Sequence, residues 1–124
     1  MPGMGSLLTV LLSEGLHRRG LSLERIVKVS STNPARIFGL YPRKGAIRVG
    51  SDADLVLVDV DEERNVDATT WGSGAGYSIY EGWRMKGWPL ATMLRGHFLY
   101  RDGEVVAEPG YGEYLARGPA GVLS

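Results

Sequence analysis

Cysteine is absent from this 124-residue chain. Disulfide scaffolds, thiolate zinc sites and cysteine nucleophiles are therefore excluded, and a reducing cytoplasm is the compartment expected. Histidine is scarce, with only His17 and His97. A histidine-based zinc centre needs three or four protein ligands. His17 falls near the end of a predicted helix, in the basic run His17-Arg18-Arg19, and His97 falls in a predicted strand, so nothing brings them together. Net charge is lacking too: Lys+Arg and Asp+Glu both number 14. That leaves no electrostatic footprint for nucleic acid and no polybasic membrane anchor, while weak long-range repulsion favours self-association. No long apolar run occurs. Leu7 to Leu12 is interrupted by Thr9 and is far too short to span a bilayer. The first residues also lack the charged region of a secretory signal. What remains is ordinary globular material, 44% apolar and 23% charged, enough for one domain that buries roughly two-thirds of its unfolded surface.

The hydrophobic period predicts helices first. Leu7, Leu8, Leu11, Leu12 and Leu16 follow a 3.6-residue repeat over 5–18, with Val10 widening the stripe, Ser6 as a cap and Gly20 as a stop. Ser22-Leu23-Glu24-Arg25 opens a second helix with stripe Leu23, Ile26 and Val27, extended towards Val29. Asn33-Pro34 opens a third, with Asn as cap, Pro at the first helical position and Gly39 as the end. The period then changes. Ala46-Ile47-Arg48-Val49 reads as a short strand. Asp54 to Val60 reads as a stronger one, whose continuous Leu55-Val56-Leu57-Val58 suggests that both faces are covered. Asp61 to Asn65 reads as a polar turn, and Val66 as the start of another short strand. Residues 69–88, rich in glycine and aromatics, read as a long irregular loop. Thr92 to Arg101 is predicted to be a strand, Asp102-Gly103 a two-residue hairpin turn and Glu104 to Glu108 the returning strand. The tail from Pro109 should fray near its end. The expected fold is α+β, divided into a helical segment 1–40, a sheet segment 41–112 with its loop 69–88, and a tail 113–124.

Several motifs invite chemistry. Gly50-Ser51-Asp52-Ala53-Asp54 places two carboxylates in three residues, but without a third acid or a distal Glu it reads better as a turn in which Asp52 accepts backbone N–H groups. Gly72-Ser73-Gly74-Ala75-Gly76 is glycine-rich, yet neither the preceding strand nor the following helix of a phosphate loop is predicted. Ser13 and Ser30-Ser31 lack a nucleophile elbow and an evident histidine base, so they read as helix-surface or cap residues. Trp71, Tyr77, Tyr80, Trp83 and Trp88 favour a core or subunit contact over a ligand pocket. No catalytic residue and no metal ligand is assigned.

The run Gly45-Ala46-Ile47-Arg48-Val49-Gly50-Ser51-Asp52-Ala53-Asp54-Leu55-Val56 resembles a signature of the amidohydrolase superfamily. Ser22 to Val27, Asn33 to Leu40, Tyr41 to Gly45, Gly87-Trp88-Pro89, Arg95-Gly96, Arg101 to Glu104 and Glu108 to Gly112 narrow the resemblance to the cyclic amidohydrolases: hydantoinase, dihydropyrimidinase, allantoinase and dihydroorotase. It covers nearly the whole chain and does not choose among the four. It implies a (β/α)8 barrel beside a small β-sandwich. Gly5 to Arg18 would be a helix after the last barrel strand, Leu21 to Phe38 the helices leading out, and residues 46 to 108 half of the sandwich with its connecting loop. It also implies a binuclear zinc centre for the whole enzyme, held by a His-x-His pair, a carboxylated lysine, two further histidines and an aspartate from earlier barrel strands. None of these has a counterpart here, so no cofactor is expected in this chain. Pro2-Gly3-Met4 resembles the loop after the last barrel strand and would offer backbone contacts to substrate. The chain is then expected to be a C-terminal piece of such an enzyme, inactive alone, or else a stand-alone assembly or docking module. Its partner would be the missing barrel portion or further copies of itself, with no nucleic acid and no membrane.

Overall fold

A computed structural model describes residues 4–70 and 76–121. The fold is α+β, with helices first and a small sheet afterwards. Strands β1 (Leu55–Asn65), β2 (Arg84–Leu94), β3 (His97–Arg101) and β4 (Glu104–Val105) form one sheet in chain order. β2 pairs with β3, and β3 with β4, in the antiparallel sense. The chain groups into two units, one of Met1–Ser22 with Val58–Pro89, the other of Leu23–Leu57 with Leu90–Ser124.

In the first unit a helical run begins with a 3-10 turn, Met4–Ser6, continues as α1 (Leu7–Val10) and widens into a π-helical stretch, Leu11–Arg18. Gly20 ends it at φ 66°, as expected of a left-handed stop. Ser6 makes no capping hydrogen bond. Of the expected leucine stripe only Leu12 is fully buried, and Leu8, Leu11 and Leu16 are half-buried. Ser6, Thr9, Leu12 and Ser13 are buried, whereas Leu7 is 63% exposed. The cause is the close approach of β2. A Cβ added at Gly87 would lie 2.6 Å from Leu12 Cβ, and the Lys86 N–H donates to Ser13 Oγ at 3.2 Å. Small side chains suit a place where backbones come this near, so Ser6, Thr9 and Ser13 are buried beside Leu12 although they lie off the apolar stripe.

The core of this unit is Val66, Met85 and Trp88, with Val10 and Tyr80 packed against it. Trp88 Nε1–H donates to the Met85 carbonyl at 2.9 Å, which satisfies the one polar atom of a buried indole. Val66 belongs to no strand. It follows β1, donating its N–H to Trp83 O and accepting from Gly82 N–H. The predicted polar turn Asp61–Asn65 is instead the second half of β1. Its charges find partners on β2, Glu63 with Arg84 and Asp61 with Lys86, so a polar run becomes a strand. The predicted loop 69–88 likewise gives way to β2 at Arg84. Glycine and proline inside a strand are ordinarily breakers, but here Gly87 supplies the φ of 96° at which β2 meets the helix.

In the second unit the predicted break at Asn33 does not occur. α2 (Leu23–Val27), a π-helical stretch Lys28–Thr32 and α3 (Asn33–Ile37) run on continuously, with Thr32 itself helical at φ −64° and ψ −49°. Pro34 lacks the N–H that an inner helical turn needs, and the widened turn before it absorbs the mismatch. Thr32 Oγ1 donates to Gly45 O at 2.9 Å and Ser30 Oγ to Ile26 O at 2.7 Å. Of the predicted stripe only Ile26 is buried, while Leu23, Val27 and Val29 are exposed. Gly39 ends the run at φ 65°, as expected.

Ala46–Val49 is not a strand. Ile47 and Val49 are 88% and 103% exposed, and no described strand pairs with them; an extended segment without a neighbour does not hold. Val56 and Leu57 in β1 are exposed as well, so its apolar run is not covered on both faces. The predicted strand Thr92–Arg101 is two strands joined at Arg95-Gly96, with Leu94 opposite His97. Asp102-Gly103 forms the expected hairpin turn, with φ of 55° and 86° and Arg101 opposite Glu104. The returning strand stops at Val105 instead of Glu108.

Replacing Gly87 with Ala forces a left-handed φ on an L-residue and drives a methyl into Leu12. We expect a loss of about 2–4 kcal/mol, read as a lower urea midpoint with an unchanged m-value.

Candidate functional site

Two groups of polar side chains stand out, one in each unit. In the second unit Lys44 reaches two carboxylates. Its Nζ lies 2.8 Å from Asp52 Oδ2 and also bonds Asp54 Oδ2, and its side chain is only 19% exposed. Arg43 Nε adds a bond to Asp52 Oδ2 at 2.9 Å. The other oxygen of Asp54 accepts the Arg95 N–H at 2.9 Å, while Gly96 N–H donates to Ala53 O at 3.0 Å. These bonds hold Arg95 at φ 47°, a left-handed conformation that a non-glycine residue adopts at a cost. Burial pulls the Lys44 pKa down, but the bonds to Asp52 and Asp54 outweigh it and raise it above 10.5. The Lys44 hydrogen bond, helped by Arg43, holds Asp52 below its ordinary 3.8 against a smaller opposing effect of burial. The acidic pair of Gly50–Asp54 is therefore a clasp. Asp52 takes side-chain cations, not the backbone N–H groups expected of it. Pro42-Arg43-Lys44-Gly45 carries those cations, but a separation of eight to ten residues is no signal until the turn brings them back.

In the first unit a groove of about 380 Å³ is lined by Ser13, Glu14, His17, Arg18, Glu63, Trp83, Arg84, Met85 and Lys86. Its cations are already engaged: Arg18 with Glu14 at 3.1 Å, Arg84 with Glu63 at 2.7 Å and Lys86 with Asp61 at 2.9 Å. The Lys86 hydrogen bond is the largest influence lowering the Asp61 pKa. His17 Nε2 lies 2.6 Å from Val60 O. These contacts tie helix to strand within the unit and leave no uncompensated charge for a ligand.

His97 opens β3 and stacks edge-on to Tyr111, with ring centroids 5.2 Å apart. His17 and His97 belong to different units, and no three His, Asp or Glu residues stand close enough to hold a metal among the described residues. The described donors thus do not fit a metal centre. Ser13 is buried and accepts from Lys86, not a surface residue as expected, and Ser30 bonds its own helix. Trp88 is core, Tyr80 packs on that core edge-to-face with the half-exposed Trp83, and Tyr77 is exposed. Pro2, Gly3, Trp71 and Gly72 to Ala75 lie outside the described residues, as does the side chain of Met4. No described helix is long and apolar enough to cross a membrane. The residue that sequence reasoning missed is Arg95. Its pairing with Gly96, two residues able to turn a hairpin, was the available signal.

The amidohydrolase family model matches residues 3–99, and the chain belongs to that family. It is 42% identical to an L-hydantoinase of Paenarthrobacter aurescens over 93% of its own length and 25% of that protein. It is 38% identical to a dihydropyrimidinase of Rattus norvegicus, over 94% of this chain and 22% of the relative. The crystal structure of dihydropyrimidinase from Brevibacillus agri superimposes with a TM-score of 0.89 at 36% identity, covering 93% of this chain and 25% of that one. The chain spans about a quarter of the length of the relatives it matches.

The clasp has a pH signature. A carboxylate whose folded pKa is depressed adds stability above its unfolded value, and that stability is lost as pH falls through the folded one. Asp52 and Asp61 both start from 3.8, so the urea midpoint should fall as pH drops below about 4. Asp52→Asn should lower the midpoint at neutral pH and flatten this acid slope; an unchanged slope would show that the clasp does not contribute.

Proposed function

We propose that this chain is the C-terminal portion of a metal-dependent cyclic amidohydrolase that hydrolyses the C–N bond of a hydantoin or a dihydropyrimidine. It supplies scaffold, not catalysis. The metal centre, two zinc ions in this reading, is held by the remainder of the enzyme. The observation that carries the proposal is the combination of strong family similarity with a donor set that, among the described residues, does not fit a metal. The coverage of about a quarter of each relative agrees with it. So does the surface, since Ile47, Val49 and Leu57 are exposed to a degree unusual for β-branched and aliphatic residues, and the Asn33 side-chain oxygen is buried without a hydrogen-bond partner. The helices before Gly39 correspond in this reading to the end of a (β/α)8 barrel, and the strands to half of a β-sandwich. Pro2, Gly3 and Met4 are the one stretch proposed to border substrate.

The same exposed residues favour a second reading, a non-catalytic assembly module whose partner is another copy of the chain. Trp88 takes no part in such a contact, because it is buried in the core.

Three measurements test these readings. The purified chain, supplied with zinc, is expected to hold no stoichiometric metal after dialysis and to leave hydantoin and dihydrouracil intact. Robust turnover of either would overturn the first reading. An in-frame His-x-His barrel upstream of Met1 would support it directly. Light scattering across micromolar concentrations should show association if the second reading holds, and a concentration-independent monomer would dismiss it.

A further inference from the structure

Beyond β4 the described chain has no regular secondary structure, yet it is fastened at both ends. The Gly118 N–H donates to Phe38 O at 3.3 Å, and the Gly121 N–H to Arg36 O at 2.8 Å. The backbones meet so closely that a Cβ on Gly39 would fall 2.3 Å from the Gly118 carbonyl carbon, and one on Gly118 would fall 2.7 Å from Gly39 O. At the other end Arg95 Nη2 donates to Tyr111 O at 2.6 Å and faces Glu113 at 3.4 Å. The Arg95 guanidinium also stacks on the Tyr111 ring, 4.4 Å from its centroid. Arg95 is itself held by Asp54, and Asp54 by Lys44.

We propose that residues 109–121 form a releasable strap over the C-terminal end of α3, latched by Arg95. A helix end leaves its last carbonyls short of partners inside the helix; the strap supplies a donor to Phe38 O and a second donor to Arg36 O, which also accepts the Gly39 N–H at 3.1 Å. Its fastenings are hydrogen bonds, one ion pair and cation–π stacking. Glu113 is mostly exposed, so salt screens its attraction to Arg95. Closed, the strap covers the carbonyls of Arg36 and Phe38. Open, it exposes them together with the Gly39 backbone. This makes the strap a conformational device separate from the sheet, whose Asp102-Gly103 hairpin is closed by its own backbone bonds.

The test is residue-resolved amide hydrogen exchange on the full chain, in low salt and in about 1 M salt. In the native chain the Gly118 and Gly121 amides should be protected, and less so in high salt. Arg95→Gln should speed both by about tenfold while Val106, which bonds Leu99 within the hairpin, is unchanged. If Arg95→Gln disturbs the hairpin too, the double variant Tyr111→Ala with Glu113→Gln leaves the Arg95 turn intact and should give the same acceleration. Free-chain exchange at Gly118 and Gly121 in the native protein would overturn the proposal, as would tail amides that neither set of substitutions alters.

Discussion

One carboxylate, Asp54, joins the parts of the second unit. One oxygen takes the Lys44 ammonium; the other takes the Arg95 backbone N–H. The first bond ties the segment after the helices to the start of β1. The second stabilises a left-handed arginine and so places the turn between β2 and β3. From that turn the Arg95 side chain extends to Tyr111 and Glu113. A single side chain thus connects helix exit, hairpin and tail, and each connection is polar. Ordered polar connections of this kind depend on one another more than their separate strengths suggest.

The first unit is organised differently. There the constraint is steric. Gly87 allows β2 to lie against Leu12, and the adjoining Lys86 N–H bonds the buried Ser13. The apolar core of Val66, Met85 and Trp88 sits beside it. The charged groove above is self-neutralised, which explains why a concave surface with three cations offers no evident ligand site. Both units are thus held by ordinary means, and among the described residues no group of three His, Asp or Glu stands close enough to hold a metal.

Reading the sequence succeeded where local chemistry decides. Gly20 and Gly39 end helices because a left-handed φ costs glycine little. Asp102-Gly103 turns a hairpin because aspartate tolerates, and glycine readily adopts, the left-handed φ that the turn needs at both positions. Reading failed where partners are distant. Asp61 to Asn65 is polar enough for a turn, and becomes a strand because Arg84 and Lys86 lie alongside. Asn33 has the chemistry of a cap, and sits inside a helix because the preceding turn widens. Arg95-Gly96 hints at a turn, but the left-handed conformation of Arg95 is held by the distant Asp54, 41 residues away.

The sequence by itself determined the family, the α+β order of elements and the poverty of metal ligands, since residue types and short spacings suffice for each. Tertiary structure decided which face of the first helix is buried, where β1 ends and β2 begins, and that the acidic pair is a clasp. It also decided that the tail folds back onto α3. These depend on separations of tens of residues, where a close approach at one glycine or one shared carboxylate outweighs local propensity.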